Sequence, residues 1–149
     1  MTSRPILALT IGVGLVVAAC GGGDSIQVED AWARTSASMQ DTGAVYMTIV
    51  GGAETDDLIG VSVDSSVAEM AQLHMTEMAE GDDGSEVMSM HPVDEIAIAP
   101  GEQVSFGPGG YHIMLMPLAE PLVNGSEFDL VLDFTNAGSI TITVEVRED

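Results

Sequence analysis

Ten short apolar or β-branched runs follow one another along this chain, each closed by a turn signal, and that rhythm limits the fold more than any other feature. The runs are Ile26 to Ala33, Ala44 to Val50, Leu58 to Val63, Ala68 to Met75, Val87 to Val93, Glu95 to Ile98, Gln103 to Phe106, His112 to Met116, Phe128 to Phe134 and Ser139 to Val146. Gly51-Gly52, Gly81-Asp82-Asp83-Gly84, Pro100-Gly101, Pro108-Gly109-Gly110, Asn124-Gly125 and Asn136-Ala137-Gly138 break the chain between them. Short runs bounded in this way read as strands. Many of them at this spacing predict an all-β antiparallel sandwich or barrel. One segment, Ser65 to Glu80, is rich enough in Ala, Glu and Met to wind as a helix. A strand is expected there instead, because its neighbours need a pairing partner.

At 149 residues the chain has room for one domain and a short appendage, and the appendage is at the front. Arg4 precedes an apolar run from Ile6 to Val17, followed by Ala18-Ala19-Cys20. The run is short for a membrane span and has the plan of a secretory signal. Its ending, "VAAC", resembles the lipobox of bacterial lipoproteins, in which the cysteine is lipidated and begins the mature protein. The expected organisation is a signal peptide over 1–19, a lipidated Cys20 with a short linker to residue 25, and one domain over 26–149. Each buried methylene of an acyl chain contributes about 0.8 kcal/mol, so more than one chain makes a durable anchor. The expected location is extracytoplasmic, lipid-anchored to a bacterial membrane. Cys20 is the only cysteine, so the domain that follows has no disulfide within it.

The charge is one-sided. Lysine is absent, all 24 acidic residues follow Cys20, and the formal net charge is -21. A surface of that sign repels nucleic acid and anionic lipid, and it raises the local concentration of cations. Most of these carboxylates read as a solvated coat. The "DDGSE" stretch at 82–86 lacks the spacing of a calcium loop.

The chemistry is carried by histidine and methionine. Of ten methionines, five fall between Met70 and Met90, and two of the three histidines, His74 and His112, keep methionines close by. Core filling accounts well for Met47 and Met70, since methionine is a flexible apolar filler. In "GGYHIMLM", strand alternation puts His112, Met114 and Met116 on one face and Tyr111, Ile113 and Leu115 on the other. His74 lies beside Met75, and Met88 and Met90 alternate. Soft thioethers with borderline imidazoles, and no thiolate, suit Cu(I) far better than magnesium, calcium or manganese. Zinc would more often recruit cysteine or a third histidine.

His74, Met90, His112 and Met114 resemble the H(M)-x10-M-x21-H-x-M signature of the periplasmic copper chaperones known as PCu(A)C. Twenty-one residues separate Met90 from His112 and one separates His112 from Met114, as in that pattern. Fifteen residues separate His74 from Met90 where the pattern has eleven, and "EGDDGSE" is expected to absorb the difference in a longer hairpin turn. "VEDAWAR", "GAVYMTI", "LIGVSV", "QLHM", "VMSMHPV" and "PGGYHIMLM" are also similar to the family's blocks, in family order.

The resemblance implies a cupredoxin-like antiparallel β-sandwich of Greek-key type. It implies one Cu(I) held by His74, Met90, His112 and Met114, with the sandwich bringing His74 and Met90 opposite the other two. It further implies delivery of that copper to the copper domain of cytochrome c oxidase, alongside a Sco-type protein. Met75 and Met88 are expected as supporting or substitute thioethers, Met116 as deeper packing, and His91 as a surface residue on the opposite face. The family's His/Met-rich tail is not seen after "VEVRED", so Cu(I) is the expected cargo. Pro108-Gly109-Gly110 should form the turn that presents His112, and Trp32 and Tyr46 should be buried anchors. An extended link from Cys20 to Ile26 reaches about 20 Å, which keeps the site near the membrane.

Three other classes fit less well. A blue-copper electron carrier requires a cysteine ligand that the domain lacks. An enzyme would need a nucleophile or an acid–base pair that nothing in the sequence selects. A non-metal binding or adhesion lipoprotein, with its methionines serving only as core, is the alternative that measurement must separate from copper binding.

Overall fold

The computed structural model describes residues 24–37 and 39–148, so Cys20 and the apolar run before it lie outside the described residues. All ten predicted runs are strands. They are β1 (Gln27–Arg34), β2 (Gly43–Val50), β3 (Asp56–Val63), β4 (Ala68–Glu80), β5 (Glu86–Pro92), β6 (Ile96–Ile98), β7 (Gln103–Phe106), β8 (Tyr111–Leu118), β9 (Glu127–Phe134) and β10 (Gly138–Arg147). The described residues contain no helix. β4 is a strand despite its helix-forming composition because it is hydrogen-bonded along both edges, to β5 and to β8. Tertiary pairing outweighs the few tenths of a kcal/mol per residue that propensity supplies.

The strands form one hydrogen-bonded sheet in the order β5-β4-β8-β7-β2-β1-β10-β9-β3-β6, with β8 also pairing β2. Pairing is antiparallel except for β1 with β10 and β7 with β8. The sheet doubles over so that β3 packs against β4, which makes a sandwich. Its core holds the inward residues of each strand, among them Val45 and Ile49 of β2, Leu58 of β3, Ile113 and Leu115 of β8, Leu130 and Leu132 of β9, and Val144 of β10. Full burial of each such side chain contributes about 1.5–3 kcal/mol. Because Ile113 and Leu115 face that core, His112, Met114 and Met116 must face outward from the same strand.

Two polar devices fix the ends of the sandwich. Asp56 is buried, and its carboxylate accepts hydrogen bonds from the backbone N–H groups of Asp57 (2.9 Å), Asn136 (2.8 Å) and Ala137 (2.8 Å), which ties the β9–β10 turn to β3. Burial by itself would raise its pKa, but these N–H donors hold it below the ordinary carboxylate value. At the other side Tyr46 is buried and its ring centroid lies 4.9 Å from that of Trp32. The Arg147 guanidinium sits 4.6 Å above the Trp32 ring and donates to Asp30 at 3.0 Å.

Candidate metal centre

The site is built by three adjacent strands. β8 runs beside β4 with His112 directly opposite His74 and Met114 opposite Gln72; β5 lies on the other edge of β4 with Met90 opposite Thr76 and Met88 opposite Met78. Directly opposed residues project to the same side of a sheet, and so do residues two apart on one strand. His74, Met90, His112 and Met114 therefore share the outer face. The four lie side by side on one sheet, with His74 directly across from His112.

The residues between His74 and Met90 form a long hairpin. Pairing continues without a break from His74–Pro92 to Glu80–Glu86, so four cross-strand pairs lie beyond Thr76–Met90 and the turn is confined to Gly81–Ser85. A tight turn closes the hairpin: Gly81 donates to the Ser85 carbonyl at 2.7 Å, Ser85 caps the Asp83 carboxylate, and Gly84 adopts a φ of 78°. Adding whole pairs preserves which face each side chain occupies, whereas a single added residue would have turned Met90 away.

The two imidazoles are buried although they sit on the outer face, with His74 at 8% and His112 at 5% exposure, and their ring centroids are 5.7 Å apart. Each ring has a polar neighbour two residues before it. His112 Nδ1 lies 3.2 Å from the Gly110 carbonyl, so Nδ1 carries the hydrogen and Nε2 keeps a free lone pair. The same carbonyl accepts from Thr76 N–H at 3.0 Å, which locks the start of β8 to β4. The turn preceding His112 forms as expected, with Gly109 at a φ of 80° and Gly110 N–H donating to Gly107. His74 Nε2 lies 3.3 Å from Gln72 Oε1, and Nδ1 is buried with no hydrogen-bond partner. Burial lowers the His74 pKa, with His112 and then His91 adding to the effect, so the ring stays neutral and able to donate its lone pair to a metal.

Beside the His112 ring opens a cleft of about 370 Å³, whose lining includes His112, Met114, Met88, Met90 and Thr76, and also Arg34 and Tyr46, while His74 does not reach it. Met90 is 51% exposed, so the thioether side of the site is open while the imidazole side is closed. Met75 is corrected as a supporting ligand: it pairs with Tyr111 and His91 and so faces away from the site. His91 is on that opposite face, with Nδ1 3.9 Å from Glu77 Oε1. Met116 lies on the site's face but pairs with Met70, beyond Met114 on the side away from the hairpin. Among the described residues no three His, Cys, Asp or Glu side chains gather as a metal site, so a metal here depends on thioether sulfur. Gln72, Thr76 and the Gly110 carbonyl were missed in the sequence. Period-two alternation from His74 marks Gln72 and Thr76, but nothing local marks a carbonyl.

A family model described as "Putative lipoprotein LpqE-like" matches residues 26–146. The chain belongs to this LpqE-like family. A relative from Leifsonia xyli subsp. xyli, "Putative lipoprotein Lxx21020", is 31% identical over 125 residues, covering 84% of this chain and 71% of its own length. Among solved structures, the copper-bound PCuAC domain from PmoF2 aligns at a TM-score of 0.66 and 24% identity, covering 85% of the LpqE-like chain and 96% of that domain. The Cu(I) form of DR1885 from Deinococcus radiodurans aligns at a TM-score of 0.59 and 26% identity, covering 87% of the LpqE-like chain and 84% of its own. The fold of this LpqE-like protein is thus the cupredoxin-like β fold of PCuAC domains.

Proposed function

We propose that this protein is an extracytoplasmic, lipid-anchored copper carrier that holds one Cu(I) through His74, Met90, His112 and Met114. The register of β5, β4 and β8 carries this reading, since it sets two imidazoles and two thioethers on one face, and one of those imidazoles keeps a buried nitrogen that lacks a partner. An unpaired buried nitrogen costs about 1–3 kcal/mol, and a metal bond removes that penalty. Two structural relatives, the copper-bound PCuAC domain from PmoF2 and Cu(I)-DR1885, support copper as the ion.

The same arrangement suits delivery better than storage. Buried imidazoles hold the ion while the half-exposed Met90 gives way first to an acceptor's donor entering through the cleft. Copper stays monovalent throughout, so no electron is moved and no catalytic step is needed. Following the PCu(A)C resemblance, the acceptor is the copper domain of cytochrome c oxidase, with a Sco-type protein as a partner. Lipidation at Cys20 would hold Ile26, at the start of the domain, within about 20 Å of the membrane, and the acidic surface would gather cations around the protein.

The test is a competitive Cu(I) titration of the full chain in mild detergent against a chromogenic chelator, with His112→Ala and Met114→Ala alongside. One tight equivalent that both substitutions weaken is expected. Binding indifferent to both would overturn the assignment and favour a non-metal binding lipoprotein. For delivery, replacing Cys20 by a secretory cleavage site should lower oxidase metallation when copper is scarce; unchanged metallation would remove the tether from the account.

A further inference from the structure

The β4–β5 hairpin extends past Thr76–Met90, and what it carries there is not explained by packing. Met78 and Met88 are directly opposed on the same face as His74 and Met90, yet they are 60% and 68% exposed. No core lies behind this part of the hairpin: Glu77, Ser89, Ala79 and Val87 occupy its other face, none of them is buried, and Val87 is itself exposed. A cross-strand apolar pair stabilises a hairpin by only about 0.2–1 kcal/mol, and β-branched residues serve that purpose better than methionine.

The next pair outward is stranger. Glu80 and Glu86 stand directly opposite one another on the Met78 face, where like charges destabilise a strand pair. Met78, Glu80 and Glu86 line one recess, while Met88 and Met90 line the cleft that contains His112 and Met114. The Met78–Met88 pair lies between that carboxylate pair and Met90 on one face of the hairpin, a place where a soft cation would be welcome: sulfur supplies the bonds and the carboxylates supply the field.

We infer that Met78, Met88 and Met90 form a second site for a monovalent soft cation, Cu(I) or Ag(I), which passes its ion to or from the histidine site through the shared Met90. The passage rests on the proposed Cu(I) site; the thioether site itself does not. An ion held by exposed thioethers binds more weakly than one held with two buried imidazoles, so the hairpin acts as a landing position and the histidines as the resting one.

The experiment is a titration of the full chain, labelled with 13C at the methionine methyl groups, in chloride-free buffer with Ag(I), followed by methyl NMR. The first equivalent should shift Met114, and the second should shift Met78 and Met88. The volume-conserving double variant Met78→Leu/Met88→Leu should keep the first equivalent, which also certifies its fold, and lose the second. His112→Ala should lose the first while Met78 and Met88 still shift. Glu80→Gln with Glu86→Gln should weaken only the second. Met78 and Met88 methyls that stay unmoved through two equivalents, or a second equivalent that survives the leucine variant, would overturn the inference and leave the histidine site standing. A missing histidine-dependent equivalent would instead overturn the copper-carrier reading, and shifts at Met78 and Met88 would still establish the thioether site.

Discussion

Replacing His74 by leucine should make the empty protein more stable and the copper-loaded protein less so. Leucine fills a similar volume and removes a buried Nδ1 that has no partner, which relieves about 1–3 kcal/mol. It also removes the 3.3 Å contact between Nε2 and Gln72, worth about 1 kcal/mol at most at that length. The balance is a gain of about 1 kcal/mol, or an upward shift of roughly 4 °C in Tm for a domain of this size. In wild type, a ligand at a hundred times its Kd adds about 2.7 kcal/mol, and the variant forfeits most of that. Thermal melts with and without Cu(I) should therefore cross. The pH dependence adds a second check. The folded ring binds its proton less readily than the unfolded one, so wild-type stability should fall as pH drops below the free imidazole value of 6.5, and the leucine variant should lose that slope. An empty variant that melts below wild type would refute the claim that Nδ1 is unpaired. Undiminished copper stabilisation would refute its role as a ligand.

Asp56→Asn should destabilise the fold by about 3 kcal/mol in urea denaturation, because an amide offers one oxygen to three backbone donors that a carboxylate satisfies with two. Since the folded carboxyl sits below its free value of 3.8, its contribution is complete above that pH and should vanish as acid carries the protein through the lower folded pKa; a variant with the same acid profile as wild type would contradict this. Gly51→Ala should prevent accumulation of folded protein, since a Cβ there would lie 2.1 Å from the Ala99 carbonyl oxygen, and a normal circular dichroism melt would count against the placement. Cys20→Ala should move the protein from the membrane fraction to the soluble one, and an unchanged distribution would exclude lipidation at that residue.

All ten strands could be read from the sequence, because a strand's face alternates every residue and its ends are written in Gly, Pro and Asn. Alternation also gave the grouping of His112, Met114 and Met116, since those residues share one strand. What could not be read was the neighbour of each strand. That β4 lies between β5 and β8 is decided by long-range hydrogen bonding, and with it the side-by-side placement of His74 against His112 and of Thr76 against Met90. For the same reason Met75, adjacent to His74 in sequence, proved to be on the wrong face, while Gln72 and the Gly110 carbonyl emerged as the polar neighbours of the two imidazoles.

Donor chemistry belongs to the sequence: three imidazoles and several thioethers with no cysteine in the domain favour a soft ion over a hard one. Which donors meet, which are buried and which stay open to an acceptor belong to the tertiary structure alone. Period two tells a side chain which face to take, but only the pairing of distant strands determines what else is on that face.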